Sequence, residues 1–241
     1  IRYFMNNVSG STMLIDAIAA AGVEQFVFSS SAAVYGSPDR VPVTEDLPTR
    51  PESVYAETKL MIEHVLRWMG ETRGLRSVCL RYFNAAGASF DSRIGEDWSV
   101  TTNLVPIVMK ATLGRRGPLE VFGNDYPTRD GTGERDYIHV VDLADAHVKA
   151  LDHLDAGRDS LTCNLGTGTG STVLEVLSAT ERISGREVPH VFSPRRAGDP
   201  AVVFADPSLA ERTLGWKARH GLEDIIATAW QWHSTRIDGY S

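Results

Sequence analysis

Cysteine is scarce in this sequence, since the 241 residues contain only Cys79 and Cys163. Each lies within an apolar run, which favours a buried, reduced side chain over a disulfide or a reactive thiol. A small scaffold held together by disulfides is therefore excluded, and we expect a reducing, cytoplasmic compartment.

Long apolar runs and secretion signals are also absent. No stretch provides the roughly 20 consecutive apolar residues that a membrane-spanning helix requires. No basic start followed by an apolar core and a cleavage site opens the chain, so a signal peptide is not expected. The sequence predicts no association with a membrane.

Positive charge is in the minority. The chain has 24 Lys and Arg against 31 Asp and Glu, giving a net charge of −7. An acidic surface repels a polyphosphate backbone, so nucleic acid is not an expected partner. The seven histidines show neither an H-E-x-x-H motif nor another paired ligand spacing, so no metal site is expected.

The first third of the chain alternates helical and strand patterns. Apolar residues recur at helical spacing over 8–21 and 55–69, and short apolar runs over 26–28 and 76–83 are typical of buried strands. Four prolines between 36 and 53 predict a surface loop. Such alternation is typical of a parallel sheet covered on both faces by helices.

A Gly- and Asp-rich connection follows Asn84 and extends to Thr101. Beyond it we predict a helix over 104–113, strands over 119–122, 137–140, 161–165 and 188–192, and helices that begin near Val141, Thr172, Pro207 and Leu222. This mixture predicts a smaller C-terminal α/β lobe.

The segment Y-A-E-T-K places Tyr55 and Lys59 four residues apart, and therefore on one face of the second predicted helix. A nearby ammonium favours the phenolate, so we expect Lys59 to lower the pKa of Tyr55 and make it a general base. Taken alone, the same spacing is more typical of a solvent-exposed pair with no catalytic role.

Three serines, Ser29, Ser30 and Ser31, end the preceding strand. They lie at the carboxyl edge of the predicted sheet, where open α/β folds bind ligands. A hydroxyl there can connect a substrate hydroxyl to the tyrosine, and the other two serines are interpreted as turn caps.

Six segments of the chain resemble the UDP-glucose 4-epimerases of the extended short-chain dehydrogenase/reductase superfamily: SSSAAVYG, YAETK, LRYFNAAG, FGNDYPTRDGTGERDYIHVVDLADAH, NLGTGTG and PRRAGD. The resemblance covers nearly the whole chain. It implies a partial Rossmann-like, doubly wound parallel sheet whose first strands are missing. Residues 1–84 would form the NAD-binding half and 85–241 mainly the UDP-sugar lobe, with some segments returning to the sheet.

The resemblance implies roles for individual residues. Tyr55 matches the catalytic base, Lys59 the lysine that holds the nicotinamide ribose, and Ser31 the serine beside them. The positions implied for NAD are Asn6, Ser29, Tyr55, Lys59, Tyr82 and Phe83. The positions implied for the UDP-sugar are Ser31, Asn84, Asn103, Leu104, Phe122, Arg135, Arg196, Asp199 and Val203.

Two arginines of this set have a simpler interpretation when each is considered alone. Arg135 would pair with Asp136 and Arg196 with Asp199, as surface ion pairs commonly do. Their position within the matching motifs favours charge-assisted hydrogen bonds to a diphosphate instead.

The implied activity is reversible 4-epimerisation of UDP-glucose and UDP-galactose by transient hydride transfer to bound NAD. The small side chain of Val203, at a position implied to limit the substrate, adds the N-acetylated pair as a hypothesis. The resemblance also implies a homodimer.

Two alternatives remain open at this point. A sugar-nucleotide 4,6-dehydratase of the same superfamily would carry an Asp-Glu pair where this chain has Ala32 and Ala33. A truncated, non-catalytic sugar-nucleotide-binding protein would keep the fold without turnover.

The glycine fingerprint that the resemblance leads one to expect does not precede Ile1. Gly166, Gly168 and Gly170 do not replace it, because Ser171 occupies the position of the third fingerprint glycine. We interpret them as a tight strand-to-helix turn in the C-terminal lobe. The expectation is that these 241 residues alone bind NAD weakly or not at all and are inactive, whereas a longer form holds NAD tightly.

Overall fold

The computed structural model of the protein describes residues 1–98 and 101–236. In chain order, the α-helices are α1 (Gly10–Ala20), α2 (Val54–Arg73), α3 (Leu104–Thr112), α4 (Val140–Asp155), α5 (Val173–Ser184), α6 (Ser208–Leu214) and α7 (Leu222–Thr235). The strands are β1 (Gln25–Ser31), β2 (Arg76–Tyr82), β3 (Asn84–Ala86), β4 (Leu119–Phe122), β5 (Glu134–Arg135), β6 (Tyr137–His139), β7 (Leu161–Leu165), β8 (Ser171–Thr172), β9 (His190–Ser193) and β10 (Val202–Val203). A π-helical segment, Phe4–Ser9, leads into α1, and a 3-10 turn, Ala32–Tyr35, follows β1.

Contacts divide the chain into two compact units. Unit 1 comprises Ile1–Phe83, Ala144–Leu165 and Ala205–Lys217. Unit 2 comprises Asn84–Leu143, Gly166–Phe204 and the described part of Ala218–Ser241. Both units are therefore assembled from segments that are distant in sequence.

Unit 1 contains, among its described residues, a three-stranded parallel sheet in the order β1-β2-β7. Each strand has an apolar centre, Phe26–Phe28 in β1 and Val78–Leu80 in β2, as is typical of a parallel sheet covered on both faces. In this register Ser31 pairs with Tyr82, and Tyr82 pairs with Leu165. The carboxyl ends of the strands consequently lie side by side, at the edge where open α/β sheets bind ligands.

The apolar core of unit 1 lies between its helices and this sheet. Ile15, Ile62 and Leu66 are each 1% exposed. They form one cluster with Phe28 and Cys79, which joins α1 and α2 to β1 and β2. Burial of each large aliphatic side chain contributes about 1.5–3 kcal/mol to folding.

Both cysteines are buried and free, as predicted from their apolar surroundings. Burial raises the pKa of Cys79 and of Cys163 to about 12. A thiol with such a pKa stays protonated at neutral pH, so neither side chain is a ready nucleophile.

Unit 2 combines short sheets with the helices α3, α5 and α7. The sheets have the orders β10-β5-β8, β3-β6 and β4-β9. Thr172 and Glu175 form a capping box at the start of α5, which satisfies backbone N–H groups that the helix leaves free. Val108, Val176 and Ile225, each 0% exposed, belong to one apolar core that the three helices share.

The turn between β7 and β8 contains the G-T-G-T-G segment and has the predicted form of a tight turn. Gly168 has a φ of 80°, in the left-handed region that glycine adopts readily. Thr167 donates hydrogen bonds to the buried Asp136 carboxylate from its N–H over 2.9 Å and from its hydroxyl over 2.7 Å. A Cβ at Gly170 would meet the Glu134 side chain, so close packing requires glycine there.

The longer predicted helices and strands are present, with shifts of a few residues at their ends. No pattern in the sequence predicts β3, β5, β8 or β10, because two or three residues are too few to show alternation. The first helical segment begins at Phe4 rather than Val8, because its first turns are π-helical and do not follow the 3.6-residue period.

None of the helices within residues 1–98 and 101–236 has both the length and the apolar character that crossing a membrane requires. In the same part of the chain, no group of three or more His, Cys, Asp or Glu side chains is arranged to bind a metal ion. Two buried histidines have hydrogen-bond partners instead: His139 Nε2 lies 3.0 Å from Thr228 Oγ1, and His153 Nε2 lies 2.9 Å from Asp159 O.

Candidate active site

The start of α2 determines where Tyr55 and Lys59 lie. The Ser53 hydroxyl oxygen caps this helix by accepting a hydrogen bond from the Ala56 N–H over 3.1 Å. Such a cap contributes about 1 kcal/mol to helix stability. Because the helix begins here, Tyr55 and Lys59 occupy successive turns on one face, as predicted.

Both side chains reach the carboxyl end of β1. The Lys59 ammonium donates a hydrogen bond to the Ser29 carbonyl oxygen over 2.9 Å and lies 5.0 Å from the centre of the Phe28 ring. The Ser31 side chain lies close enough to Tyr55 to lower the pKa of the phenol. The fold therefore brings Tyr55, Lys59 and Ser31 into one cluster.

Partial desolvation dominates the protonation of this cluster, in which Tyr55 is still 37% exposed. It raises the pKa of Tyr55 above its usual value, and the hydrogen bond from Ser31 opposes that increase. Burial also lowers the pKa of Lys59. The prediction that Lys59 lowers the pKa of Tyr55 is wrong, because the Lys59 ammonium is directed to a backbone carbonyl and Ser31 is the group that lowers the pKa.

His147 is a member of this cluster that sequence reasoning missed. Its Nε2 lies 2.8 Å from the Ser29 hydroxyl, and its ring centre lies 6.5 Å from that of Tyr82. Tyr82 pairs with Ser31 across β1 and β2, and half-buried Phe83 follows it directly. His147 is 118 residues away from Ser29 along the chain, so no local motif could have revealed it.

Asn6 lies in the π-helical segment, where its exposed amide donates to Asn7 Oδ1 over 3.1 Å. The Asn7 amide in turn donates to Thr58 Oγ1 over 3.1 Å. Asn6 and Tyr3 line the same open hollow of about 700 Å³. Because the Tyr3 ring meets the Tyr55 ring edge-on at 6.3 Å, this hollow adjoins the Tyr55 cluster.

A second cavity, of about 290 Å³, lies within unit 2. Its lining includes most of the residues that the resemblance implies for the UDP-sugar: Asn84, Leu104, Phe122, Arg135, Arg196 and Asp199. Apolar side chains and a few polar groups share the wall, as is typical of small-molecule sites. The residues implied for the UDP-sugar that belong to unit 2 thus line one cavity, with two exceptions.

The exceptions are Asn103 and Val203, which do not line this cavity. Asn103 is exposed at the N-terminus of α3, where its side chain makes no capping hydrogen bond. Val203 is half-buried in β10 and pairs with Arg135 of β5. Each is nonetheless adjacent to a lining residue, Leu104 in the first case and Arg135 in the second.

Arg135 and Arg196 have no ion-pair partner within residues 1–98 and 101–236. Arg135 donates to the Glu134 carbonyl oxygen over 2.9 Å, and the Arg196 guanidinium lies 3.8 Å from the centre of the Phe122 ring. Neither of the surface ion pairs considered from the sequence has formed. Two cations without a carboxylate partner, lining one cavity, are suited to binding an anion.

Arg195, Tyr126 and Arg116 contribute to the same region, although the resemblance does not single them out. Arg195 Nε donates to Asp125 Oδ1 over 2.7 Å, and its guanidinium stacks 4.3 Å from the centre of the Tyr126 ring. Tyr126 and Arg116 line the cavity. Arg195 therefore anchors the segment that carries Arg196.

Known proteins resemble this chain in both sequence and fold. A profile of the NAD dependent epimerase/dehydratase family matches residues 1–166. The curated UDP-glucose 4-epimerase of Bacillus subtilis is 50% identical over 242 residues, which cover 100% of this chain and 71% of that protein.

Solved structures show the same relationship. The UDP-glucose 4-epimerase of Stenotrophomonas maltophila, with bound NAD and formylated UDP-arabinopyranose, matches with a TM-score of 0.95 and 48% identity, covering 98% of this chain and 71% of that chain. The UDP-glucose 4-epimerase of Bifidobacterium longum, in complex with NAD+ and UDP, matches with a TM-score of 0.92 and 41% identity. The match covers 100% of this chain and 72% of that chain. This chain belongs to the NAD dependent epimerase/dehydratase family.

Proposed function

We propose that this protein catalyses the reversible 4-epimerisation of UDP-glucose and UDP-galactose, with NAD as its cofactor. The observation that carries the proposal is the cluster of Tyr55, Lys59 and Ser31 at the carboxyl edge of the unit 1 sheet. This cluster occurs in a chain whose whole length is 50% identical to part of a UDP-glucose 4-epimerase.

The chemistry of the reaction explains why such a cluster is needed. The C–H bond at carbon 4 of the sugar is not acidic, so inversion requires oxidation to a ketone and reduction from the opposite face. When bound, NAD supplies the reversible acceptor for the hydrogen of carbon 4. Tyr55 takes the proton of oxygen 4 during oxidation and returns it during reduction.

Tyr55 must be ionised to take this proton, whereas burial raises its pKa. The Ser31 hydrogen bond stabilises the phenolate and opposes this effect. The fraction of ionised phenol increases with pH and levels off only well above the pKa. Activity is therefore expected to rise with pH on the acid side of the optimum.

The residues around Tyr55 are chemically suited to hold NAD. The Lys59 ammonium and the Tyr55 hydroxyl lie on one face of α2 and can both hydrogen-bond to the hydroxyls of a ribose. Aromatic side chains at the end of β2 offer apolar surface to a nicotinamide ring. The full set that would hold the cofactor is Asn6, Ser29, Tyr55, Lys59, Tyr82 and Phe83.

The nucleotide must stay anchored while the keto-sugar turns over, so strong contacts belong at the diphosphate and weak ones at the sugar. Arg135 and Arg196 would supply the charge-assisted hydrogen bonds to the diphosphate. The absence of carboxylate partners for either arginine among the described residues supports this assignment. Asn84, Asn103, Leu104, Phe122 and Asp199 would complete the UDP-sugar site, and Ser31 would contact the sugar.

Val203 provides the basis for a wider substrate range. It pairs with Arg135 in the sheet of unit 2, and its side chain is small. Because the resemblance implies that the side chain at this position limits the substrate, we propose that UDP-N-acetylglucosamine is also epimerised. The purified natural enzyme should convert both sugars, and a Val203→Tyr variant should retain UDP-glucose epimerisation while losing the N-acetylated activity. Failure of the natural enzyme to convert the N-acetylated sugar would refute the wider range.

The alternative of a 4,6-dehydratase is disfavoured by the turn after β1. Ala32 and Ala33 begin this 3-10 turn, at the positions where a dehydratase carries its acidic pair. Without an acid, water cannot be eliminated efficiently from the sugar. Incubation with dTDP-glucose should yield no 4-keto-6-deoxy product.

A purely binding protein would not need a phenol whose pKa is lowered by a neighbouring serine. Replacing Tyr55 with phenylalanine distinguishes the two functions. An epimerase should lose nearly all turnover while it still binds UDP-sugar, whereas a binding protein should be unaffected in every assay.

We further propose a homodimer located in the cytoplasm. Large apolar side chains are exposed on α1 and α2, among them Met13, Leu14 and Trp68. Such a surface is suited to pairing helices with a second copy. Sedimentation of the natural enzyme should give twice the monomer mass, and fluorescent tagging in the source organism should give a cytoplasmic signal.

The direct test is to mix the natural enzyme with UDP-galactose and to follow the sugar signals by nuclear magnetic resonance. Appearance of UDP-glucose, and convergence on the same mixture from UDP-glucose, is the expected result. No interconversion by an enzyme that holds NAD would overturn the proposal.

A further inference from the structure

A third contact joins α2 to β1 beyond those of Tyr55 and Lys59. Glu63 lies one helical turn after Lys59 and therefore on the same face of α2. Its Oε1 accepts a hydrogen bond from the Ser30 hydroxyl over 2.5 Å. Lys59 and Glu63, on successive turns of the helix, are thus each hydrogen-bonded to a serine of β1.

The Glu63 carboxylate is itself held firmly. Arg81 on β2 donates to it through two nitrogens, with Nε 2.9 Å from Oε1 and Nη2 2.5 Å from Oε2. Arg81 Nη1 donates to the Tyr35 hydroxyl over 2.9 Å, and this hydroxyl donates to Asn164 Oδ1 over 2.8 Å. The orientation of Glu63 is therefore fixed by β2, by the turn after β1 and by β7.

Stability alone is a poor explanation for this buried arrangement. Glu63 and Arg81 are each 8% exposed, and Ser30 is 0% exposed. Removing two charges from water costs several kcal/mol each, and apolar residues of the same volume often give an equally stable or more stable protein. What the ion pair adds is directionality, since a two-point contact permits one register between helix and sheet.

We propose that Ser30, Glu63 and Arg81 are positioning residues that hold α2 in the register at which Tyr55 meets Ser31. This inference rests on the proposed epimerase activity and extends it to residues outside the reacting groups. Without the Ser30–Glu63 contact, the helix can shift along β1, and the Tyr55 phenol then moves away from Ser31.

Ser30→Ala is the most informative variant, because it removes one hydroxyl and leaves the Glu63–Arg81 pair intact. Ser30→Thr keeps a hydroxyl and is the conservative rescue. Thr180→Val is the matched control, because Thr180 is also 0% exposed and donates one hydrogen bond, to the Val176 carbonyl oxygen over 2.8 Å, within α5 of unit 2.

The experiment measures kcat and KM for UDP-galactose in the NAD-loaded natural enzyme and its variants. It also measures the Tyr55 titration from tyrosinate absorbance, as the difference from a Tyr55→Phe enzyme. Ser30→Ala should lower kcat about tenfold or more, leave KM within about twofold, and move the Tyr55 titration to higher pH. Ser30→Thr should restore most of kcat, and Thr180→Val should change neither kcat nor the titration.

Two results would overturn the inference. One is an unchanged kcat and an unchanged Tyr55 titration in Ser30→Ala. The other is an equal decrease of kcat in Ser30→Ala and Thr180→Val, which would indicate general destabilisation. If the natural enzyme itself shows no turnover, the proposed function fails. The Tyr55 titration in Ser30→Ala then decides the positioning role alone. A shift of that titration supports the role, and an unchanged titration overturns it.

Discussion

Replacing Ser31 with alanine removes the hydroxyl that opposes the increase in the pKa of Tyr55. Burial of the phenol is the largest cause of that increase, and the Ser31 hydrogen bond is the largest opposing one. The same hydroxyl oxygen accepts a hydrogen bond from the Ala33 N–H over 3.2 Å and so caps the turn after β1. The substitution therefore affects both ionisation and local structure, and these effects can be separated.

A hydrogen bond to a charged group contributes about 1.5–3 kcal/mol, and about 1.4 kcal/mol corresponds to one pKa unit. Loss of the Ser31 hydroxyl should therefore raise the pKa of Tyr55 further. On the rising limb of the pH profile, kcat/KM should fall about ten- to hundredfold at constant pH. Loss of the cap should cost about 1 kcal/mol of folding free energy.

The assay is the pH dependence of kcat/KM for UDP-galactose in the natural enzyme, Ser31→Ala and Ser31→Thr. The rising limb should move to higher pH in Ser31→Ala and stay near its original position in Ser31→Thr, which keeps the hydroxyl. A uniform decrease of activity in Ser31→Ala with no movement of the limb would refute the assignment of Ser31 to the ionisation of Tyr55.

Three further perturbations follow from the structure. Arg135→Ala and Arg196→Ala should each raise KM for UDP-galactose about tenfold or more, since each loses a charge-assisted hydrogen bond; steady-state kinetics with an unchanged KM would contradict this. Ile62→Ala should lower the free energy of unfolding by about 2–5 kcal/mol in urea titrations, because Ile62 is 1% exposed; a loss below about 1 kcal/mol would contradict its place in the core. Cys79 and Cys163 should react with a thiol reagent only on unfolding, and rapid labelling of the native protein would show that they are accessible.

The sequence was sufficient for the elements that build unit 1, because their signals are local. The apolar runs of β1 and β2 and the apolar spacing along α2 are each long enough to show their period. Tyr55 and Lys59 could be placed on one face for the same reason. The resemblance to epimerases then implied the roles proposed for them, which spacing alone leaves ambiguous.

Electrostatics within the cluster could not be predicted, because it depends on side-chain direction and burial. Spacing brings Lys59 near Tyr55, yet only the structure shows that the ammonium is directed to the Ser29 carbonyl oxygen. The pKa of Tyr55 is consequently set by burial and Ser31 rather than by Lys59.

Contacts between distant segments were likewise beyond sequence reasoning. His147 reaches Ser29 across 118 residues, and Arg81 reaches Glu63 from a neighbouring strand. Neither histidine nor arginine has a local signature that distinguishes such a role from an exposed side chain. These positions become recognisable only when the register of the sheet is known.

Transient oxidation at carbon 4 of the sugar is the central claim, and an isotope tests it directly. UDP-galactose that carries deuterium at carbon 4 is converted by the natural enzyme in ordinary water, and the product is analysed by nuclear magnetic resonance. The expected product is UDP-glucose that retains deuterium at carbon 4, because the same hydrogen leaves and returns. Replacement of the deuterium by hydrogen from water would contradict the claim.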